Sequence, residues 1–177
     1  MEYIYNIDSP LGVLTVSSDG VNITGLWIER SRYFGSTIKP GAEIKSLPVF
    51  KQAEKWLDIY FSGSEPNIKL PLAPVGTQFR QKVWQLLMNI PYGTVTTYGA
   101  IAKQISEGKK DYRMAAQAIG GAVGHNPISI IIPCHRVVGS NGSLTGYGGG
   151  INKKVQLLQL EKVNMDKLYI PSKGTAL

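Results

Sequence analysis

The segment IIPCHRVVG, residues 131–139, sets the only cysteine of the chain, Cys134, directly before His135 and Arg136 and directly after an apolar run ending in proline. A thiol near its reference pKa is mostly protonated at neutral pH, and only the thiolate is a strong nucleophile. His135 could take that proton directly or through a water, and a carboxylate behind the imidazole would orient it and stabilise its charged form. Glu161 is the candidate carboxylate. On the predicted helix INKKVQLLQLEKV, residues 151–163, the apolar stripe is Ile151, Val155, Leu158 and Leu157, and Glu161 falls between the directions of the two leucines. A carboxylate directed inward must find a partner. An inert buried thiol beside a hydrogen-bonded core histidine would present the same dipeptide.

These side chains need elements to hold them. The strand-like ISIIIP, residues 128–133, delivers Cys134 at its end, where a strand fixes the backbone and the loop beyond leaves access. Adjacent residues of a strand point to opposite sides, so cooperation between Cys134 and His135 requires a turn or a water between them. Upstream, Thr77 can cap the helix QFRQKVWQLLMNI, residues 78–90, with Phe79, Val83, Leu86 and Leu87 on one face and PYG ending it. TTYGAIAKQI (96–105) and RMAAQAIGGAVGHN (113–126) then read as two short helices around the polar connector SEGKKDY, a helix-turn-helix pattern. The second of these is made of small residues, Ala115, Ala116, Ala118, Gly120 and Gly121, so its backbone can approach either a nucleic-acid groove or another protein helix.

The first part of the chain has a different character. Residues 3–28 alternate apolar and polar positions on either side of SSDG, which predicts strands joined by a hairpin in an antiparallel sheet. VFKQAEKWLDIYFSG (49–63) predicts a helix stopped at Gly63, and the proline-rich EPNIKLPLAPVG (65–76) reads as a linker, placing a domain boundary near Leu72. Charge changes at the same point. Residues 1–72 carry 7 Lys and Arg against 8 Asp and Glu, whereas residues 73–177 carry 12 against 4. The second part is therefore suited to a polyanion, although basic charge alone supplies attraction without specificity.

Composition narrows the classes further. A 43% hydrophobic share suits a folded chain, and no apolar run reaches the roughly 18 residues of a membrane span. The N-terminus MEYIYNIDSP lacks the basic start and apolar stretch of a signal peptide, so a cytoplasmic location is expected. One cysteine cannot form an internal disulfide, and two histidines with one cysteine make a poor zinc set.

The segments PCHRVVGSNGSLTGYGGG, IPYGTVTTYGAIA and GGAVGHNP, with a glutamate 27 residues after the cysteine, resemble the O6-alkylguanine-DNA alkyltransferases, also called methylated-DNA-protein-cysteine methyltransferases. The likeness covers about residues 73–163, with a weaker match in the N-terminal part. It implies an α+β chain. A small antiparallel-sheet, ribonuclease H-like α/β domain would occupy residues 1–72 and support a mostly helical DNA-binding and alkyl-acceptor domain with the helix-turn-helix, residues 73–177. The implied function is direct-reversal repair. Such a protein binds double-stranded DNA through the minor groove, rotates O6-alkylguanine out of the stack, and passes the alkyl group irreversibly to its cysteine. O4-alkylthymine is a second candidate substrate. The resemblance further implies a monomer with no cofactor and no metal.

Carried over by position, Cys134 is the acceptor, His135 the base acting through water, and Glu161 the carboxylate that holds the histidine. Tyr98 matches the tyrosine that donates a proton to the guanine ring. Asn126 matches the asparagine tying the cysteine segment to the helix-turn-helix. Val137, through its carbonyl oxygen, and Tyr147 match residues lining the nucleotide pocket, and Arg136 is placed with the substrate and DNA contacts. Guanine is a poor leaving group until its ring is protonated or hydrogen-bonded, so a thiolate on one side and a donor on the other share the barrier. The thioether product does not hydrolyse, so each molecule acts once.

The chain departs from the family pattern in several places. Gln117 stands where many members have an arginine that fills the gap left by the extruded base; it can occupy the space but lacks the charge and planar fork. Gly148 replaces a serine that contacts the alkylated oxygen in some members, leaving the backbone N–H. The connector is longer than in compact members, and its Lys109, Lys110 and Arg113 suit either phosphate contacts or a solvated loop. Three other classes compete. A non-catalytic alkyl-lesion sensor of the related type would lack the cysteine, a helix-turn-helix regulator would need no thiol pocket, and a cysteine hydrolase would need an oxyanion hole.

Overall fold

Alternation of apolar side chains does produce the strands expected at the start of the chain. The computed structural model describes residues 1–106 and 112–172, the side chains of 112–116 excepted. Lys109 and Lys110 thus lie outside the described residues, as does the side chain of Arg113. The chain divides into two units, Met1–Val75 with Pro127–Ser129, and Gly76–Asn126 with Ile130–Leu177.

The first unit is built on strands β1 (Tyr3–Ile7), β2 (Leu14–Ser18), β3 (Ile23–Ile28) and β4 (Glu43–Ile44), in the order β3-β2-β1-β4. β1–β2 and β2–β3 are antiparallel as expected, with Asp19 accepting from the backbone of Val21 and Asn22 to close the β2–β3 turn. The two-residue β4 pairs parallel to β1, so the sheet is mixed rather than purely antiparallel. Helix α1 (Pro48–Phe61) buries Phe50, Ala53, Leu57 and Tyr60, and the sheet contributes Leu14, Val16, Ile23, Leu26 and Ile28 to the core. The proline-rich stretch is not a free linker. Ile23 donates its N–H to the Pro71 carbonyl and accepts from Ala73, so the stretch runs along the edge of β3, where proline is tolerated. Further along the same edge, Leu26 exchanges hydrogen bonds with Pro127 and Ser129.

The second unit is mostly helical. Helix α2 (Gln78–Met88) starts at Thr77, whose side chain accepts from the Arg80 N–H, and it packs against α3 (Tyr98–Ser106) and α4 (Tyr112–Gly124), which also pack on each other. Its buried face is Val83, Trp84 and Leu87; Phe79, expected there, is 37% exposed. Trp84 takes the inward position and donates its indole N–H to the Ala122 carbonyl at 2.9 Å, joining α2 to α4. Strands β5 (Thr96–Thr97) and β6 (Val137–Val138) form a short parallel pair, and α5 (Ile151–Leu160) closes the unit. A cluster of Val138, Leu144, Leu158 and Val163, flanked by Val95, Ile151, Val155, Met165 and Leu168, forms its second core. Among the described residues no helix is long and apolar enough to cross a membrane.

The chain after α5 borders the glycine-rich loop 139–150. Leu144 donates to the Tyr169 carbonyl, Tyr169 donates to the Gly142 carbonyl, and the Asn141 amide reaches the Tyr169 hydroxyl at 2.6 Å. Gly142 stands at φ 87°, and a Cβ there would collide with the Lys167 carbonyl. Left-handed strain and a backbone clash that no side-chain rotation relieves both fall on one substitution. Gly142→Ala is therefore expected to destabilise the protein by roughly 2–3 kcal/mol or more, read as a lowered midpoint in urea unfolding.

Candidate active site

The expected strand before Cys134 does not form. Ile128 makes a single bridge to Leu26, and the chain then turns, with Ile130 buried at φ 71°. A β-branched residue in the left-handed region is a costly conformation, and it breaks the extended run that the apolar pattern predicts. Cys134 instead opens a 3-10 helix, Cys134–Arg136, whose three residues per turn send consecutive side chains in different directions. The turn between Cys134 and His135 that the chemistry required is thus supplied by this helix.

Cys134 is buried, with its N–H donated to the Ile132 carbonyl at 2.8 Å. Asn126 follows α4 and donates its side-chain N–H both to Ile132 O at 2.8 Å and to Cys134 Sγ at 3.1 Å. Burial is the dominant influence on the thiol and pushes its pKa up; the Asn126 amide and the Lys154 charge pull it down without offsetting burial. Burial thus favours the protonated thiol, and the sulfur must pass its proton to a base when it reacts.

Behind it, His135 Nε2 lies 2.6 Å from Glu161 Oε1, with both side chains fully buried. Burial lowers the pKa of His135 more than the Glu161 hydrogen bond and charge raise it. Burial also pushes Glu161 up, but the bond and charge of His135, then those of Arg136, outweigh it and hold the carboxyl at about 2. The pair is therefore neutral imidazole and carboxylate. An ionised carboxylate only accepts, which assigns the proton to Nε2 and the basic lone pair to Nδ1.

The sequence reading places Arg136 among the substrate and DNA contacts. It is 8% exposed and grips Glu161 in a fork, Nε to Oε2 at 2.8 Å and Nη2 to Oε1 at 3.1 Å, while Nη1 reaches the Ile90 carbonyl at 2.7 Å. Its guanidinium is committed inside the protein, because a buried glutamate beside a neutral histidine needs a cation. Gly93 of the PYG turn donates its N–H to Glu161 Oε2 at 3.1 Å, so that turn holds the carboxylate as well as ending α2.

The β5–β6 pair brings Tyr98, the first residue of α3, to the same region. Its hydroxyl donates to the Thr145 carbonyl at 3.1 Å and lies against Gly146, where a Cβ would leave no room. Burial first, and the Cys134 charge second, raise its pKa, so the phenol keeps its proton. Tyr147 sets its ring edge-on to His135 at 6.4 Å between centroids, and its buried hydroxyl makes no hydrogen bond among the described residues. Val137 is fully buried in β6. Gln117 is exposed on α4 and, among the described residues, makes no hydrogen bond with the cysteine cluster; around it Ala118 and Gly121 are exposed, and Cβ atoms at Gly120, Gly121 and Gly124 would meet none of the described residues within 4 Å. Among the described residues, the Gln117, Ala118 and Gly121 side of α4 is thus exposed. Gly148 lies near the end of α4, where a Cβ would make ordinary contact with the Gly124 carbonyl at 3.6 Å. Among the described residues no group of His, Cys, Asp and Glu gathers that could hold a metal ion.

One residue of the cluster escaped sequence reasoning. Lys154 of α5 is fully buried and donates from Nζ to Val137 O at 2.6 Å and to Thr145 O at 2.8 Å. The signal was present, since Lys154 projects between Leu157 and Leu158 on the helical wheel just as Glu161 does.

Comparison with known proteins accounts for nearly the whole chain. Residues 78–163 match the family model of the 6-O-methylguanine DNA methyltransferase DNA binding domain, and residues 3–74 match that of its ribonuclease-like domain. The methylated-DNA–protein-cysteine methyltransferase of Mycobacterium bovis is 45% identical over 92% of this chain and 93% of its own length. That of Haemophilus influenzae is 45% identical over 88% and 83%. The crystal structure of Mycobacterium tuberculosis OGT in complex with DNA superposes with a TM-score of 0.78 and 42% identity, covering 90% of this chain and 92% of that one. The expected α+β fold, a ribonuclease-like first part followed by a DNA-binding second part, agrees with these matches. With both parts matched and relatives aligned along most of its length, the chain belongs to the 6-O-methylguanine DNA methyltransferase family.

Proposed function

We propose that this protein repairs double-stranded DNA by direct reversal, moving the alkyl group of O6-alkylguanine onto Cys134 once and irreversibly. The observation that carries the reading is the buried His135–Glu161 pair, a neutral imidazole backed by a carboxylate on the residue next to the chain's only cysteine, which is itself buried. His135 takes the thiol proton through a bridging water, and Glu161 stabilises the imidazolium that results. The Sγ–carbon bond forms as the carbon–O6 bond breaks. Tyr98 releases the Thr145 carbonyl and gives its proton to the guanine ring, so the leaving group departs as neutral guanine. The imidazolium proton then restores the phenol through solvent.

In this reading Asn126 stabilises the sulfur as it gains charge, since its amide already points at Sγ. Val137 O and Tyr147, whose hydroxyl is left for a ligand to satisfy, receive the everted base. The Gly148 N–H serves the alkylated oxygen. The open face of α4 enters the minor groove, with Gln117 filling the space of the extruded base. Residues 1–72 support the acceptor domain of residues 73–177, and the protein works in the cytoplasm as a monomer without a cofactor. The net basic charge of the second part attracts DNA phosphates.

Incubation with duplex DNA containing O6-methylguanine is expected to add a single methyl to Cys134, with no turnover beyond one equivalent. Peptide mass spectrometry reads it, and an intact Cys134 beside unrepaired DNA sinks the proposal. Glu161→Gln should abolish most transfer and destabilise the fold by roughly 3–5 kcal/mol at neutral pH, because it leaves Arg136 buried without its counter-charge. The folded-state pKa of Glu161 is about 2, below its ordinary 4.5. Its contribution is thus full above the unfolded value and is lost as pH falls towards 2. The stability gap between wild type and variant, measured by urea unfolding, should narrow between pH 5 and pH 2. Gln117→Arg should leave reaction with free O6-benzylguanine nearly unchanged and alter only the rate on duplex DNA. Equal effects on both substrates would reject its place in the helix.

A further inference from the structure

Six of the twelve residues in the loop 139–150 are glycine, so ordering its backbone costs more entropy than ordering an average stretch of that length. Contacts from outside the loop must offset that cost. Its second half carries Tyr147 and Gly148, which the proposed transfer assigns to the everted base and the alkylated oxygen. Its first half closes on itself: Gly139 donates to the Ser143 carbonyl, Gly142 donates to the Gly139 carbonyl, and the Ser143 N–H goes to the Asn141 side chain. Those bonds shape the turn without tying it to the rest of the protein.

The chain after α5 supplies the tie. Lys162 stands at φ 57° and Val163 donates back to the Leu158 carbonyl at 3.0 Å, which ends the helix in a Schellman turn and reverses the chain. Two more turns follow, from the Asp166 N–H to the Asn164 side chain and from the Leu168 N–H to the Met165 carbonyl, both at 2.9 Å. Tyr169 then meets the loop at three points. Its N–H goes to the Gly142 carbonyl at 3.1 Å, its carbonyl takes the Leu144 N–H at 3.0 Å, and its hydroxyl accepts from the Asn141 amide at 2.6 Å. Leu144 is gripped by its side chain as well, in the cluster with Val163 against which Met165 and Leu168 pack. The next residue, Thr145, accepts the Tyr98 hydroxyl, and Tyr147 follows two positions on. Residues 162–169 therefore join Glu161, the partner of His135, to the loop that carries Tyr147.

We infer that residues 162–169 act as a strap that positions the glycine-rich loop for the everted guanine, with Tyr169 as the positioning residue that grips it. The inference rests on the proposed seating of the base against Tyr147 and Gly148. Tyr169 touches no reacting group. It acts by holding the loop in its receiving shape, so that the base binds without ordering a glycine-rich segment at the same time. Once the grip is lost, only a fraction of molecules presents a competent loop, and seating of the base weakens by that fraction. Proton transfer from the thiol depends on His135, Glu161 and Asn126, and Tyr169 lies at the far end of the strap from Glu161.

Tyr169→Pro removes at once the N–H given to Gly142 and the hydroxyl that accepts from Asn141. The decisive comparison follows methylation of Cys134 by mass spectrometry with two reagents, of which only one carries a guanine. One is a short duplex with O6-methylguanine, kept below saturation. The other is iodomethane, which methylates the sulfur directly as iodide and the thiol proton leave. In the folded variant the rate constant on the duplex should fall on the order of tenfold, with the iodomethane rate and the affinity for undamaged duplex unchanged. A wild-type rate on the duplex, or equal slowing with both reagents, overturns the inference. Should Tyr169→Pro fail to fold, the double variant Asn141→Ala with Tyr169→Phe gives up only the side-chain bond. It should slow the duplex reaction about twofold and spare the iodomethane reaction, and the absence of such selective slowing rejects the strap. Wild-type Cys134 that takes a methyl from iodomethane but none from the duplex removes the underlying reading instead.

Discussion

The Glu161 carboxylate is the interaction on which the rest of the acceptor region depends. It lies at the C-terminal end of α5, without solvent, and is held ionised by His135 and Arg136 with a further N–H from Gly93. Each partner fixes something different. His135 receives its tautomer, Arg136 ties the 3-10 helix to the end of α2 through Ile90, and Gly93 anchors the turn that leads into β5. From β5 the chain passes directly to Tyr98. One buried anion therefore sets the register between the thiol segment and the phenol, which lie far apart in sequence.

Protonation states follow from the same burial. A solvent-free sulfur is poor at ionising, and a solvent-free imidazole is poor at charging, so the pair rests neutral. This suits a protein that can react only once. A thiolate standing ready would be consumed by any passing electrophile, whereas a thiol whose ionisation needs a properly seated base is spared for its intended substrate.

Much of this could be read before the fold was known. The five helices, the strands on either side of SSDG, the inward direction of Glu161 and the change of charge between the two parts all follow from local pattern, because period and residue type act at short range. The hydrogen-bond partners of Arg136, Lys154 and Gly93 are not legible in the sequence, because they lie far away along the chain. A lysine or arginine in a basic half reads as a contact for phosphates until its carbonyl or carboxylate partner is seen. The run 128–133 reads as a strand because its side chains are apolar and branched, but burial at a turn imposes the same composition, and Ile130 bends where β-propensity says extend. The edge of β3, which takes up Pro71 to Ala73 and then Pro127 to Ser129, cannot be inferred from periodicity at all.

The backbone exchange between Tyr169 and residues 142–144 lies beyond residue 163, where similarity to the DNA-binding family model stops. Anyone trimming the chain to that limit would discard the segment that borders the glycine-rich loop, along with Met165 and Leu168 from the adjoining core. A shortened version intended for labelling or crystallisation should thus retain at least Ile170, and a fusion partner belongs after that residue.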